Sequence, residues 1–377
     1  MKITAVEAYK VKVPIKGDYR MAKGVHKALD SVFVKILTDE GITGIGDIHQ
    51  GVAGYTEETV DTIHAVITGA FGPALVGEEL DSPERLHRLM TETRMGNPFA
   101  RSGLEMAIYD ALGKQAGVSV AALLGGPARR EVKLSGGIGI ETPEVAAEKV
   151  AAIVEEGYRT IKVKIGTDDI AQDIARVRAC RKAVGDDIAI RLDANAGYDA
   201  IDALTVVKAL GDLGIEHMEQ PVAGSDWEGM ARLRSLGALP IMADESIVSP
   251  SDAYRLVHMG ACDVIKIKIT KVGGYINARK IIDVCDASGT GLVIGQGLCS
   301  SVEAAAEAQV ACAFEHVCDV AEMVGPAKLK DDLTPTPISL AGGTLALPDG
   351  PGLGVELDDA KLAQYSEGGE VTAVAAE

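Results

Sequence analysis

Positive charge is what this chain is short of. Across 377 residues, Lys and Arg number 37 against 55 for Asp and Glu, a formal charge of -18. So acidic a surface excludes nucleic-acid phosphates and anionic lipid as partners, and an anionic substrate must meet locally concentrated positive charge. Long apolar runs are missing too. No stretch approaches the ~18 uninterrupted apolar residues of a membrane span, and residues 1–7 carry no apolar signal core. The expectation is a cytoplasmic protein without a membrane partner. The six cysteines (Cys180, Cys262, Cys285, Cys299, Cys312 and Cys318) contain no CxxC pair. That excludes a zinc knuckle or disulfide framework and leaves reduced, mostly buried thiols. Also absent is GxGxxG, the glycine-rich first turn of a doubly wound dinucleotide-binding sheet.

What is present is globular material, 47% hydrophobic and 24% charged, in a chain longer than one ordinary domain. Residues 3–14 and 31–37 read as strands, and the turn cluster at 38–41 leads into a further strand at 42–48. Helical patterns follow at 56–71, 82–93 and 100–116, before Gly125, Gly126 and Pro127 break the chain. From there the order changes. Short β-branched runs begin near Val132, Thr160, Ile188, Gly214, Pro240, Asp263, Gly291 and Asp319, 23 to 28 residues apart, each followed by an amphipathic segment. Eight βα units at that spacing are what a closed parallel barrel requires; an open sheet is the alternative. The division expected is an α+β domain over 1–127, a (β/α) barrel over 128–326 and a turn-rich segment over 327–377 that packs back on the first domain. The last dozen residues read as frayed.

Charges inside barrel strands need a reason. Lys162 and Lys164, two apart in the second strand, point to one side, as do Lys266 and Lys268 in the sixth. Asp193, Glu219 and Asp244 end the third, fourth and fifth. Three converging carboxylates repel unless a cation relieves them, and oxygen-only ligation suits Mg2+ or Mn2+. The alternative is carboxylates that cap helices or pair with arginines. Strands two and six lie opposite each other in an eight-stranded barrel, so Lys164 and Lys268 face across its mouth. There they bracket the carbon beside a bound substrate carboxylate, one as base after losing its proton. Lys162 and Lys266 are the cationic neighbours that favour that loss. Lysines snorkelling to the barrel rim are the bland alternative. In the first domain, Arg20, Lys23, His26 and Lys27 fall in a glycine-containing loop at 16–27. With a second loop at 49–55, it forms a candidate pair of lids; solvated loops with scattered charges are the alternative.

Taken together, Lys162-Val-Lys164, Asp193-Ala-Asn195, Glu219-Gln-Pro221, Asp244-Glu245 and Ile267-Lys268 before Gly273-Gly274 resemble the enolase superfamily. Within it they are similar to the muconate lactonizing enzyme subgroup. The resemblance implies an α/β fold, a modified (β/α)7β TIM barrel under an α+β cap built from both ends of the chain. It implies Asp193, Glu219 and Asp244 as metal ligands, Lys164 and Lys268 as the acid/base pair, and Lys162 as electrostatic neighbour. Asn195, Glu245, Lys266, Glu322, Gln296 and His26 become candidates for substrate contact or for the ring behind it. Strand eight reads Ala321-Glu322-Met323 where dipeptide epimerases of this group carry Asp-x-Asp, and Glu322 is similar to the strand-eight glutamate of muconate cycloisomerases. Strand seven, Gly295-Gln-Gly-Leu-Cys299, departs from the usual cycloisomerase run. The activity so implied is an isomerase of small carboxylates, a cycloisomerase first and a racemase or epimerase of N-acyl or N-substituted amino acids second. A barrel that binds a carboxylate without catalysis is the rival from another class. A homo-oligomer is expected.

Overall fold

The computed structural model describes residues 1–21, 24–49, 56–367 and 371–375, without the side chains of residues 18–21 and 24–26. In chain order the strands begin with β1 (Ile3–Met21), β2 (Gly24–Thr38) and β3 (Thr43–His49). Eight short ones follow: β4 (Glu131–Ile138), β5 (Thr160–Lys164), β6 (Ala189–Asp193), β7 (Ile215–Glu219), β8 (Ile241–Ala243), β9 (Val264–Ile267), β10 (Gly291–Ile294) and β11 (Val320–Ala321). The last two are β12 (Thr344–Ala346) and β13 (Thr372–Ala375).

β4 to β10 pair in parallel in chain order, and β11 pairs in parallel with β4 through Val320 beside Lys133. A bridge between Gly295 and Glu322, with Glu322 N donating to Ile294 O at 2.9 Å, joins β10 to the β11 end. All eight expected runs are therefore barrel strands. No α-helix follows β11 directly; the chain turns through a short 3-10 segment, Pro326–Lys328. That is the (β/α)7β form.

Period-two alternation explains how the first sheet serves two cores. Leu29 and Phe33 of β2 join the barrel core, while Val32, Val34 and Ile36 join a second core with the helices Pro83–Thr93 and Pro98–Ala116. The sheet is thus buried on both faces. In β5 the same alternation puts Ile161 and Val163 into the core and leaves Lys162 and Lys164 on the other side.

Two expectations need correction. The loop at 16–27 is instead the end of a long hairpin, with Tyr19 beside His26 and Met21 beside Gly24. Lys23 and residues 50–55 of the expected lids lie outside the described residues, as do the side chains of Arg20 and His26. β12 pairs antiparallel with β4 of the barrel. The end is not frayed throughout, because β13 adds to β1, Ala5 against Ala375 through Ala8 against Thr372. Its β-branched Thr372 and Val374 suit an added strand. Among the described residues no helix is long and apolar enough to cross a membrane. All six cysteines are free, and all but Cys318 are fully buried.

β3 crosses the helix Pro98–Ala116 so closely that a Cβ on Gly46 would lie 2.1 Å from the Gly103 carbonyl oxygen. Gly46→Ala should therefore cost about 1–3 kcal/mol through forced separation. Gly69→Ala, with nothing within 4 Å of its added methyl, should leave the melting temperature unchanged or slightly higher. Equal melting temperatures for the two variants would contradict the close-packing account.

Candidate active site

The sites of parallel barrels form at the C-terminal strand ends, and the charged side chains gather there. Asp193 at the end of β6 sits beside Glu219 at the end of β7 in direct register, and Asp244 follows β8 by one residue. All three are buried. The backbone beyond these ends is bent into unusual conformations. Asn195, Ala196 and Gln220 have φ of 45°, 57° and 35°, each costing about 1–3 kcal/mol. Local bonds hold the bends. Asn195 N donates to Asp193 Oδ1 at 3.0 Å, while Gln220 Oε1 accepts from Asp244 N at 3.0 Å and Ser246 N at 3.1 Å. Gln220 thereby fixes the β8 end against the β7 end.

Five lysines fill the space between the carboxylates. Lys164 Nζ lies 2.7 Å from Asp193 Oδ2 and 2.5 Å from Asn195 Oδ1. Lys268 Nζ lies 2.6 Å from Asp244 Oδ2, and Lys271 donates to Asp244 Oδ1 and to its carbonyl. Lys162 reaches Asp193 Oδ2 at 2.9 Å, Glu322 Oε2 at 2.6 Å and Glu219 Oε2. Lys266 reaches Glu219 Oε1 at 3.0 Å and Glu322 Oε2 at 2.6 Å. Burial opposes the charge on Lys162, yet Asp193, Glu219 and Glu322 hold its ammonium well above the usual lysine range. Lys266 is raised likewise, Glu219 and Glu322 outweighing burial. Asp193 and Asp244 are held below the carboxylate range by their lysines despite burial. Glu219 differs: burial and the charge of Asp193 push it up to about 8, against Lys162 and Lys266. An all-oxygen donor set on three neighbouring strand ends fits a hard divalent cation. As the side chains stand, no three His, Cys, Asp or Glu among the described residues make a ready cage, for ammonium groups hold their oxygens.

The outer candidates divide. Glu245 Oε1 accepts from Asn195 Nδ2 at 3.4 Å, and its buried Oε2 has no hydrogen-bond partner among the described residues. Gln296 Oε1 accepts from Gly325 N at 2.9 Å, tying the ends of β10 and β11 together, while its Nε2 has no hydrogen-bond partner among the described residues. Glu322 turns into the barrel, onto Lys162 and Lys266.

Three groups escaped sequence reasoning. Arg191 is fully buried beneath Asp193 and spans Glu216 at 2.8 Å and Glu322 Oε1 at 3.4 Å. Its period-two spacing from Asp193 was the available signal. Lys271 lies in a short helix, Ile269–Val272, where strand periodicity says nothing. The third is a clamp between the first domain and the barrel. His49 Nδ1 meets Glu303 Oε2 at 2.7 Å, and Asp47 Oδ2 accepts from Ser300 Oγ at 2.7 Å.

Arg191→Leu should cost about 3–5 kcal/mol of stability, because it strips a buried charge pair of one partner. Urea unfolding measures this; a loss below about 1 kcal/mol, the value of an exposed pair, would show that Glu322 does not depend on the guanidinium.

Known proteins are similar to this chain in sequence and in fold. The family model for the mandelate racemase / muconate lactonizing enzyme N-terminal domain matches residues 3–125, and that for the enolase C-terminal domain-like family matches residues 144–361. An N-succinyl-L-Arg/Lys racemase of Bacillus cereus is 33% identical over 97% of this chain and 98% of its own. Its crystal structure superposes with a TM-score of 0.95, at 31% identity over 99% of this chain and 100% of that one. Muconate cycloisomerase 1 of Rhodococcus opacus is 32% identical over 95% and 96% of the two chains. A dipeptide epimerase from Cytophaga hutchinsonii, complexed with Mg and the dipeptide D-Ala-L-Val, superposes with a TM-score of 0.92 at 29% identity, over 99% and 100%.

Proposed function

The chain belongs to the mandelate racemase / muconate lactonizing enzyme family of the enolase superfamily, and from that membership we propose an isomerase that moves a proton on the carbon beside a substrate carboxylate. The substrates favoured are N-acylated or otherwise N-substituted amino acids. The observation that carries this reading is the symmetry of two lysines. Lys164 ends β5 and Lys268 follows β9, with three strands between them, and each is paired to a different carboxylate, Asp193 or Asp244. Racemisation or epimerisation needs an acid/base group on each face of the α-carbon. Cycloisomerisation of a small dicarboxylate needs only one, which reverses the order of the two readings drawn from sequence. It stands as the second reading, supported by Glu322 in Glu-Met-Val-Gly-Pro and by the cycloisomerase relative.

Asp193, Glu219 and Asp244 are the residues that would hold Mg2+ or Mn2+. Bound there, the ion supplies positive charge for the substrate carboxylate as the α-proton leaves. The remaining work falls to side chains. One lysine, in its neutral form, takes the proton; the other, as ammonium, returns one to the opposite face. Lys162 stays cationic beside Asp193 and Glu219 and stabilises the enediolate.

Solvent deuterium incorporation into N-acyl amino acids, followed by NMR and polarimetry, tests this. Wild type should exchange both enantiomers. Lys164→Ala should block one and Lys268→Ala the other, each by about 10²–10⁴ or more. One lysine controlling both enantiomers would favour the cycloisomerase, and no exchange with any carboxylate would favour a non-catalytic binder. Glu219→Gln should abolish exchange and weaken Mg2+ binding in calorimetry while the circular dichroism spectrum is unchanged. Undiminished binding would remove Glu219 from the ligand set.

A further inference from the structure

Lys266 has no task in the proposed chemistry, yet the barrel is built around it. It is buried, with Nζ 2.6 Å from Glu322 Oε2, 3.0 and 3.4 Å from the two oxygens of Glu219, and 4.0 Å from Asp244 Oδ2. Gly295, just beyond β10, makes room for it: a Cβ there would lie 2.1 Å from Lys266 Cε. No other residue type fits at 295 without moving the lysine.

The geometry sets up a competition. Glu219 has two carboxylate oxygens, and Lys162 is closest to Oε2 while Lys266 is closest to Oε1. A divalent ion that takes a Glu219 oxygen competes for it with these ammonium groups, which crowd and repel the ion. A displaced ammonium left unpaired in the barrel would be costly. Glu322 removes that cost for Lys266. Its Oε2 already lies 2.6 Å from Lys266, and its other oxygen lies 3.4 Å from the buried Arg191 guanidinium. Lys266 can therefore release Glu219 and remain paired.

We infer that Lys266 and Glu322 form a cation-exchange device for the metal site. Lys266 holds Glu219 in the absence of an ion, yields it to an entering divalent cation and retreats onto Glu322, so that this pair sets the metal affinity. The inference rests on the assignment of Glu219 as a metal ligand.

Calorimetric titration of Mg2+ into the full-length protein tests it, independently of turnover. Lys266→Met should bind Mg2+ at least about ten-fold tighter, since a competing charge is removed from a low-dielectric site. Glu322→Gln should bind at least about ten-fold weaker. The discriminating result is the double variant. With Lys266 gone, Glu322→Gln should cost markedly less than it does in wild type, because there is less to accommodate. Lys266→Gln, which keeps a polar group in the cavity, should shift affinity in the same direction as Lys266→Met and covers the case in which the methionine variant does not fold. Unchanged or weaker binding in the folded Lys266 variants, or strictly additive effects in the double variant, overturns the exchange. If wild type and Glu219→Gln titrate identically, the ligand assignment is what has failed.

Discussion

An ion taken out of water costs several kcal/mol unless a partner of opposite charge is within reach. The mouth of this barrel gathers Asp193, Glu219, Asp244, Glu245 and Glu322 around Lys162, Lys164, Lys266, Lys268 and Lys271. Five carboxylates against five lysines is a balanced set, and much of the fold can be read as the means of holding that balance. β5 through β9 must keep their register, because a shift of one residue would send Lys162 and Lys164, or Lys266, into the helix layer. The apolar residues between them, Ile161, Val163, Ile265 and Ile267, oppose that slip by filling the core on the other face. A balanced set also sets the terms for an entering divalent cation. Two further positive charges must be accommodated by moving ammonium groups or by loss of protons, and both are what a lysine-based proton-transfer site can use.

The first domain is fixed to this floor by buried acids that receive N–H and O–H groups from the barrel. Asp47 accepts from Ser300 N and Oγ, and Glu105 accepts from Ile276 N. Asp110 accepts from Leu353 N and also from Ile45 N of β3. The bonds from Ser300 N, Ile276 N and Leu353 N satisfy loop or helix-start N–H groups that would otherwise be buried unpaired. Arg101 donates to Gly273 O, just beyond the short helix that carries Lys271. The cap is therefore joined to the segments that carry the site residues, and the position of the roof is tied to the position of the lysines.

The barrel was legible because its signal is local and repeated. Eight apolar runs at one spacing identify the strands, and lysines at period two inside apolar strands mark the inward face. The first hairpin was cut short for a physical reason. The polar and glycine-containing stretch after Pro14 reads as loop, whereas pairing with its partner strand carries extended structure on to Met21. In the tail it was β13 that escaped, because its four residues sit among the small and acidic residues that end the chain. What no local pattern gives is the clamp. His49 and Glu303 stand 254 residues apart, and Asp47 and Ser300 253. Glu303 reads in sequence as a first-turn helix acid, a role that needs no partner from the other domain.

Glu322 bears on substrate choice as well as on metal. Read in sequence, it is an acid at the barrel mouth, available to a substrate group. In the fold, one oxygen is shared by Lys162 and Lys266, and the other is nearest Arg191. A substrate with a free α-ammonium would have to compete with three buried cations for that carboxylate. A substrate whose nitrogen is acylated, or that has no nitrogen, asks nothing of it. The same lysines that reserve Glu322 leave the mouth rich in donors, which suits carbonyl and carboxylate oxygens. Within the proposed reading, the charge balance of the floor thus disfavours dipeptides with a free amino terminus. It favours N-acyl amino acids or dicarboxylates without naming a separate specificity residue.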